Sequence, residues 1–425
     1  MGDTFRSLRH RNFKFFFSGQ LISLVGTFMQ MVAQSWLVYR LTGSSLLLGS
    51  ISFVQQFPVF ILSPLGGTVA DRHSRHRIVV CTQTASMLLA FVLSWLTLTG
   101  RVRIWELFVL AGLLGVTNAF DIAARQSFVV EMVGQEDLMN AIAMNSSMVN
   151  GARIVGPAVA GILVAYIGEG WCFFANGVSY VAVVVGLLMM QLEPWVSHAK
   201  RESPLEDLKE GFFWVRRSRA VRDLLLMLGL VSLVGMPYVV LMPIFADRVL
   251  HGGPRALGIL MCSSGAGALV ASLGMAMRKR LRGLGRWVAT ASAGFGLSMI
   301  LFSWSQWFWL SVALLFPLGF FMMMQMACSN TLIQAMVPNR LRGRVMAFYS
   351  MMFVGMAPLG AFGAGAVATH IGAPRTLMVG GIACMFGSAI FGVRLPGLRA
   401  STRRLLVAQQ ATGGDPSEEV TLPTR

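Results

Sequence analysis

The chain has 425 residues, 55% hydrophobic and only 12% charged, roughly half the charged share of soluble domains. Lys and Arg outnumber Asp and Glu 35 to 18, a net charge of +17. That balance excludes a disordered chain, which needs low hydrophobicity and high charge density. It also argues against a soluble enzyme, which could not hide so much apolar surface.

A membrane-spanning helix needs about 20 mostly apolar residues. Twelve such segments follow one another, at 13–39, 46–70, 78–99, 104–124, 141–166, 171–190, 222–246, 257–277, 287–305, 307–330, 345–370 and 375–394. Ser305 and Gln306 alone separate the ninth from the tenth. Strands of a membrane barrel would be ~10-residue alternating segments, which these are not. The first span follows a basic leader (Arg6, Arg9, Arg11, Lys14), is too long for a signal-peptide core and lacks a small-residue cleavage site, so it is expected to be retained. Between the sixth and seventh spans lies the longest polar interruption, 191–221, where Leu205 to Val215 predicts a short amphipathic helix on the membrane surface. The expected organisation is therefore a six-helix bundle over 1–190, a cytoplasmic linker at 191–221, a second bundle over 222–394 and a disordered tail at 395–425. The five cysteines sit singly in apolar runs, with no metal or disulfide spacing.

With the N-terminus inside, inner segments hold 28 of the 35 basic residues and outer loops six; Arg153 alone lies deep within a span. Cytoplasmic loops carry the excess of Lys and Arg. Both termini are thus expected to be cytoplasmic, and the charge signals orientation rather than nucleic acid.

The halves repeat. With a shift of 204 residues, 11 of 42 positions match between 127–168 and 331–372, among them Gly151/Gly355, Gly156/Gly360 and Gly161/Gly365. Internal repeats are how secondary transporters build alternating access around a site at the membrane midplane.

Four segments carry a resemblance. The loop after the second span reads Gly67-Thr68-Val69-Ala70-Asp71-Arg72-His73-Ser74-Arg75-His76-Arg77. It resembles the signature between the second and third helices of the major facilitator superfamily, with Ser74 where that family often has glycine. There Gly67 is expected to let helices pack closely, Asp71 to meet a neighbouring helix N-terminus, and Arg72 and Arg75 to hold the loop at the surface. In the fifth span, Gly156-Pro157 and Gly161 resemble the exporter-associated motif of the same superfamily, with Ala160 replacing one glycine and Pro157 expected to kink the helix. Asp121 to Gln126 and Arg340-x-Arg342-Gly343-Arg344 resemble the enterobactin-exporter and macrolide-efflux branch, with Ala123 in a place where that branch commonly has proline. The resemblance covers about 10–394. It implies an all-α fold of twelve transmembrane helices in two pseudo-symmetric six-helix bundles, ion-driven alternating access and mostly outward transport.

Polar residues in a membrane helix face a bundle interior or water. Gln20, Ser23, Thr27, Gln30 and Gln34 form one face of the first span, expected to line a cavity, with helix-to-helix hydrogen bonding as the alternative. Ser52, Gln56 and Ser63 on one face of the second span, Ser146, Asn150, Arg153 and Pro157 on one face of the fifth, and Gln325 and Ser329 in the tenth join the candidate lining; Met322, Met323, Met324 and Met326 offer either a pliable wall or ordinary core. Arg153 is a cation deep in the fifth span, a costly placement. It either pairs with a carboxylate, for which Asp121 is the candidate, or meets an anionic substrate. Asp121 is the one acid well inside a span and the candidate for proton coupling. No His/Glu metal set, Ser/His pair or phosphate loop suggests an enzyme, and no cofactor is expected beyond a proton gradient. The leading expectation is a monomeric, proton-driven exporter of small amphipathic molecules, siderophore-like or drug, in the lipid bilayer. An importer of a polar or anionic nutrient and a non-transporting sensor are the alternatives.

Overall fold

The computed structural model describes residues 6–191, 204–277, 283–338 and 341–411. Twelve helices are long and apolar enough to cross a membrane. The first six are α1 (Arg11–Thr42), α2 (Ser45–Arg72), α3 (Arg75–Leu98), α4 (Ile104–Val133), α5 (Leu138–Ile167) and α6 (Glu169–Leu188). After the linker helix α7 (Pro204–Arg217) come α8 (Arg219–Val249), α9 (Gly253–Met275), α10 (Leu284–Trp304), α11 (Phe308–Met336), α12 (Arg342–Ile371) and α13 (Ala373–Leu395).

The turns follow local chemistry. Gly43 adopts a positive φ of 60° and its N–H caps α1 at the Tyr39 carbonyl, after which the Ser44 hydroxyl accepts from Leu47 to start α2. Ser74 caps α3 in the same way at a φ of −58°, so its replacement of glycine exchanges freedom of turn for a helix cap. Gly134, at φ 69°, breaks the chain between α4 and α5; its repeat mate Pro338 does so between α11 and α12 by lacking a donor.

The pseudo-symmetry is visible in matching helix contacts. α3 packs on α6 as α10 packs on α13, and α2 on α4 as α9 on α11. Small residues permit these approaches: a Cβ on Gly66 of α2 would stand 2.7 Å from the Ala119 carbonyl oxygen of α4. Gly67, expected to do this, has open space beside it; the close approach belongs to the neighbouring glycine.

Alternating helices bring Arg11, Arg72, Arg75, Arg219 and Arg342 to one end of the bundle, the basic end. At the far end, Trp95, Trp105, Trp171, Trp304, Trp307 and Trp309 all lie exposed. The Arg6–Arg9 turn docks at the basic end, where Arg6 and His10 lie 2.5 and 2.7 Å from the carboxylate of Asp137. The bond to His10 and the charge of Arg6 hold that carboxyl below its ordinary value.

One expectation changes at the basic end. Helix α7 forms over the expected residues and packs on α12: Glu210 pairs with Arg344, and the Phe212 and Phe348 rings are 6.2 Å apart. The expected disordered tail is helical as far as Ala411, continuous with α13. Its Leu, Arg, Ala and Gln residues favour helix, and Pro396 does not end it. Residues 412–425 and the linker segment 192–203 lie outside the described residues.

Candidate functional site: a cavity between the two halves

A cavity of about 620 Å³ lies between the halves, walled by α1, α2 and α5 on one side and α8, α9, α11 and α12 on the other. It is mostly apolar. Met31, Met236, Met261, Met322, Met323 and Met326 form much of the wall, so these methionines are lining rather than core filling alone. Unbranched, polarisable side chains let one wall accept varied shapes.

Ser146, Asn150, Arg153 and Pro157 of α5 all reach the wall, joined by Ser52 and Gln56 of α2; Ser63 and Met324 are not on it. The α1 stripe divides. Gln34 lines the cavity, but the others turn into the first bundle. Gln30 accepts a 2.7 Å hydrogen bond from the Asn176 amide of α6, and the Thr27 hydroxyl is 3.3 Å from that of Tyr180. Gln20 is buried and has no place on the wall. Thr27 and Gln30 thus take the helix-to-helix bonding that stood as the alternative, while the buried Gln20 side-chain carbonyl has no partner among the described residues. Gln325 is fully buried within the second bundle, 3.4 Å from the Ser329 hydroxyl, and also leaves the candidate lining.

Sequence reasoning missed Gln55, Tyr238 and Ser264 on the wall. Tyr238 and Ser264 share a 2.7 Å hydrogen bond joining α8 to α9. The Met236-Pro237-Tyr238 interruption of an otherwise apolar span was the signal for the first; nothing distinguishes Ser264 from its neighbour Ser263.

Asp121 and Arg153 do not meet. Asp121, 2% exposed, pairs with Arg125 one turn along α4 at 2.7 Å and accepts from Thr82 at 2.9 Å and Gln83 at 2.8 Å on α3. Helical spacing brings Arg125 to Asp121 from within its own helix, which is why the distant cation is not needed. Arg153 lies over the Phe28 ring, 5.9 Å from its centre, and has no carboxylate partner among the described residues. It is also the single charged residue among those lining the cavity.

Contacts between the halves run from mid-bundle to the far end. A Cβ on Gly161 of α5 would stand 2.8 Å from Gly258 Cα of α9, so the exporter-like glycine seats one half on the other. Its neighbour Gly156 seats α5 on α1, where a Cβ would be 2.9 Å from the Val25 oxygen. The Pro157 carbonyl would be 2.7 Å from a Cβ on Gly258. At the far end Tyr39 donates to Asp247 at 2.8 Å, and Arg248 to the Gly43 carbonyl at 3.0 Å. At the basic end, Asp71 is exposed and 3.8 Å from Arg75, which also pairs with Glu131 at 2.7 Å. Asp71 thus meets a side-chain cation on the next helix. Arg72 is exposed at the surface.

The chain is 24% identical to the staphyloferrin A transporter of Staphylococcus aureus, over 89% of this chain and 95% of that one. It is 26% identical to the multidrug efflux pump Tap of Mycolicibacterium fortuitum, over 88% and 93%. With the enterobactin exporter EntS of Shigella boydii it shares 24% over 91% of each chain. In fold it is similar to the nucleoside transporter NupG, with TM-score 0.66, 13% identity and coverage of 93% and 99%. A bacterial homologue of ferroportin in an inward-facing state gives 0.68, at 16% identity, over 90% and 98%. The family model described as transmembrane secretion effector (MFS_3) matches residues 3–410, and the chain belongs to that family of major facilitator superfamily transporters.

Proposed function

We propose that this transporter exports small amphipathic organic molecules from the bacterial cytoplasm, with the proton gradient as its energy source. The observation that carries the reading is the cavity of about 620 Å³ shared by both halves, with a methionine-rich wall, a few polar groups and one cation. Such a wall takes up apolar bodies of different shape. Three relatives whose names specify a staphyloferrin transporter, an enterobactin exporter and a multidrug efflux pump support this class of substrate. One chain supplies both walls, so a monomer suffices.

Basic loops gathered on one side of the sequence support cytoplasmic termini. Contacts concentrated toward the far end then close the outside, and the cavity draws substrate from the cytoplasmic side. Asp121 is the coupling candidate: protonation would release Arg125 and the donors on α3, loosening α3 from α4. The test is an untargeted comparison of medium from deletion and complemented cells, followed by uptake of the missing compounds into everted vesicles. Compounds lost from the medium and accumulated by vesicles only under a proton gradient are the expected result. Medium unchanged by the deletion, with no gradient-driven uptake, would sink the reading.

A further inference from the structure

Arg153 has more binding capacity than the protein uses. A guanidinium carries five N–H donors, yet among the described residues Arg153 has no hydrogen-bond or ion-pair partner and lies over the face of Phe28. Asp121, the one acid well inside a neighbouring helix, is occupied by Arg125. No acid lies among the residues lining the cavity. A cation in an apolar, low-dielectric cavity creates a positive potential that nothing on the wall cancels.

The opposite wall supplies a second group. Tyr238 and Ser264 each carry one hydroxyl hydrogen, and their mutual bond uses only one. The other has no acceptor among the described residues. The two walls converge here, because the backbone oxygen of Arg153 would lie 3.0 Å from a Cβ on Gly265, the residue after Ser264. A cation from one half and a spare hydroxyl hydrogen from the other therefore flank the same cavity, beside the apolar surface of Phe28 and the methionines.

We propose that Arg153, assisted by the Tyr238–Ser264 hydroxyl pair, is the seat for a single oxyanion on the transported molecule, whose apolar body lies along the methionine wall. This deepens the exporter reading and rests on it: the substrate class becomes the amphipathic carboxylate, or an equivalent oxyanion, rather than the lipophilic cation. A planar guanidinium matches a carboxylate with two parallel hydrogen bonds. An uncompensated cation attracts that group and rejects an ammonium.

The test uses three probes with one ring system: naphthylacetate, naphthylethanol and naphthylethylamine. Binding to the purified full-length protein in nonionic detergent is measured by thermophoresis. The acid is expected to bind roughly tenfold tighter than the alcohol, with the amine weakest, since one charge-assisted pair is worth at least that factor. R153Q should collapse the acid-to-alcohol ratio to near one, while R153K, which keeps the charge without the fork, should give an intermediate ratio. S264A should lower the ratio by a smaller factor. A ratio near one in the unaltered protein overturns the anion seat but leaves the amphiphile reading standing. Binding of none of the three sinks both. An R153Q loss shared equally by all three probes, with the ratio intact, shows that Arg153 only shapes the cavity and overturns the assignment. The ratio in the unaltered protein decides the matter even where R153Q does not fold.

Discussion

Helices α5 and α12 descend from one repeat, and they keep its glycines while dividing its chemistry. Gly161 of α5 meets Gly258 of α9; its mate Gly365 of α12 meets Ser45 and Gly49 of α2, the equivalent helix of the other half. Gly156 seats α5 on α1, and its mate Gly360 seats α12 on α8. The polar residues are not shared in this way. Arg153 corresponds to Ala357, and Asn150 to Val354. Arg153 and Ala357 both face the cavity, so the same position offers a cation on one wall and a methyl group on the other. Seating across the interface is symmetrical, glycine against the same helix of the opposite half. Recognition is not, because a small ligand has no two-fold symmetry to match.

The comparison can be broken hardest at the seat. G161V would drive a side chain into the α9 backbone, which cannot yield as a flexible side chain could. Transport in vesicles should fall to background and the melting temperature should drop. G363V, beside open space, should leave both nearly unchanged; equal damage from the two would deny the seat its special role. D121N comes next. It leaves Arg125 without its buried partner and should cost about 2–3 kcal/mol, measured by denaturant unfolding in detergent. If Asp121 couples, the variant also loses its response to the proton gradient; unaltered gradient-driven flux places coupling elsewhere.

A swap sharpens the asymmetry. A357R in an R153Q background puts a guanidinium into the cavity from the opposite wall and should restore part of the acid-to-alcohol preference. Absence of any recovery would show that the setting of Arg153 beside Phe28 matters as much as its charge. The smallest effect belongs to Y39F, which removes one bond to Asp247, worth about 1 kcal/mol. A cysteine placed nearby at the far end should then react faster with a membrane-impermeant thiol reagent; an unchanged rate would mean that this bond does not help keep the far end closed.

Spans, repeat and α5 lining were legible because each leaves a periodic trace. Length and apolarity mark a helix, a fixed shift of 204 residues marks the halves, and Ser146, Asn150, Arg153 and Pro157 repeat at helical spacing. The α1 stripe was legible as a face but not as a destination. A helix of this bundle has two hidden sides, one toward its own half and one toward the cavity, and both tolerate glutamine. Asp121 and Arg125 sit one turn apart, so their pairing could be read from spacing alone. Tyr238 joins Ser264 across two helices, and no local pattern announces that contact.

The six tryptophans exposed at the far end are anchored differently from the arginines opposite. Indole rings settle at the boundary between hydrocarbon and headgroups, whereas arginines hold to anionic headgroups by charge. The two ends of the protein therefore respond to different properties of its surroundings. Bilayer thickness acts through the rings and sets how deep the far end rides. Anionic lipid and salt act through the basic end. Changes in lipid composition would thus bear unequally on the two halves of the transport cycle, altering the opening of one side while leaving the other nearly as it was.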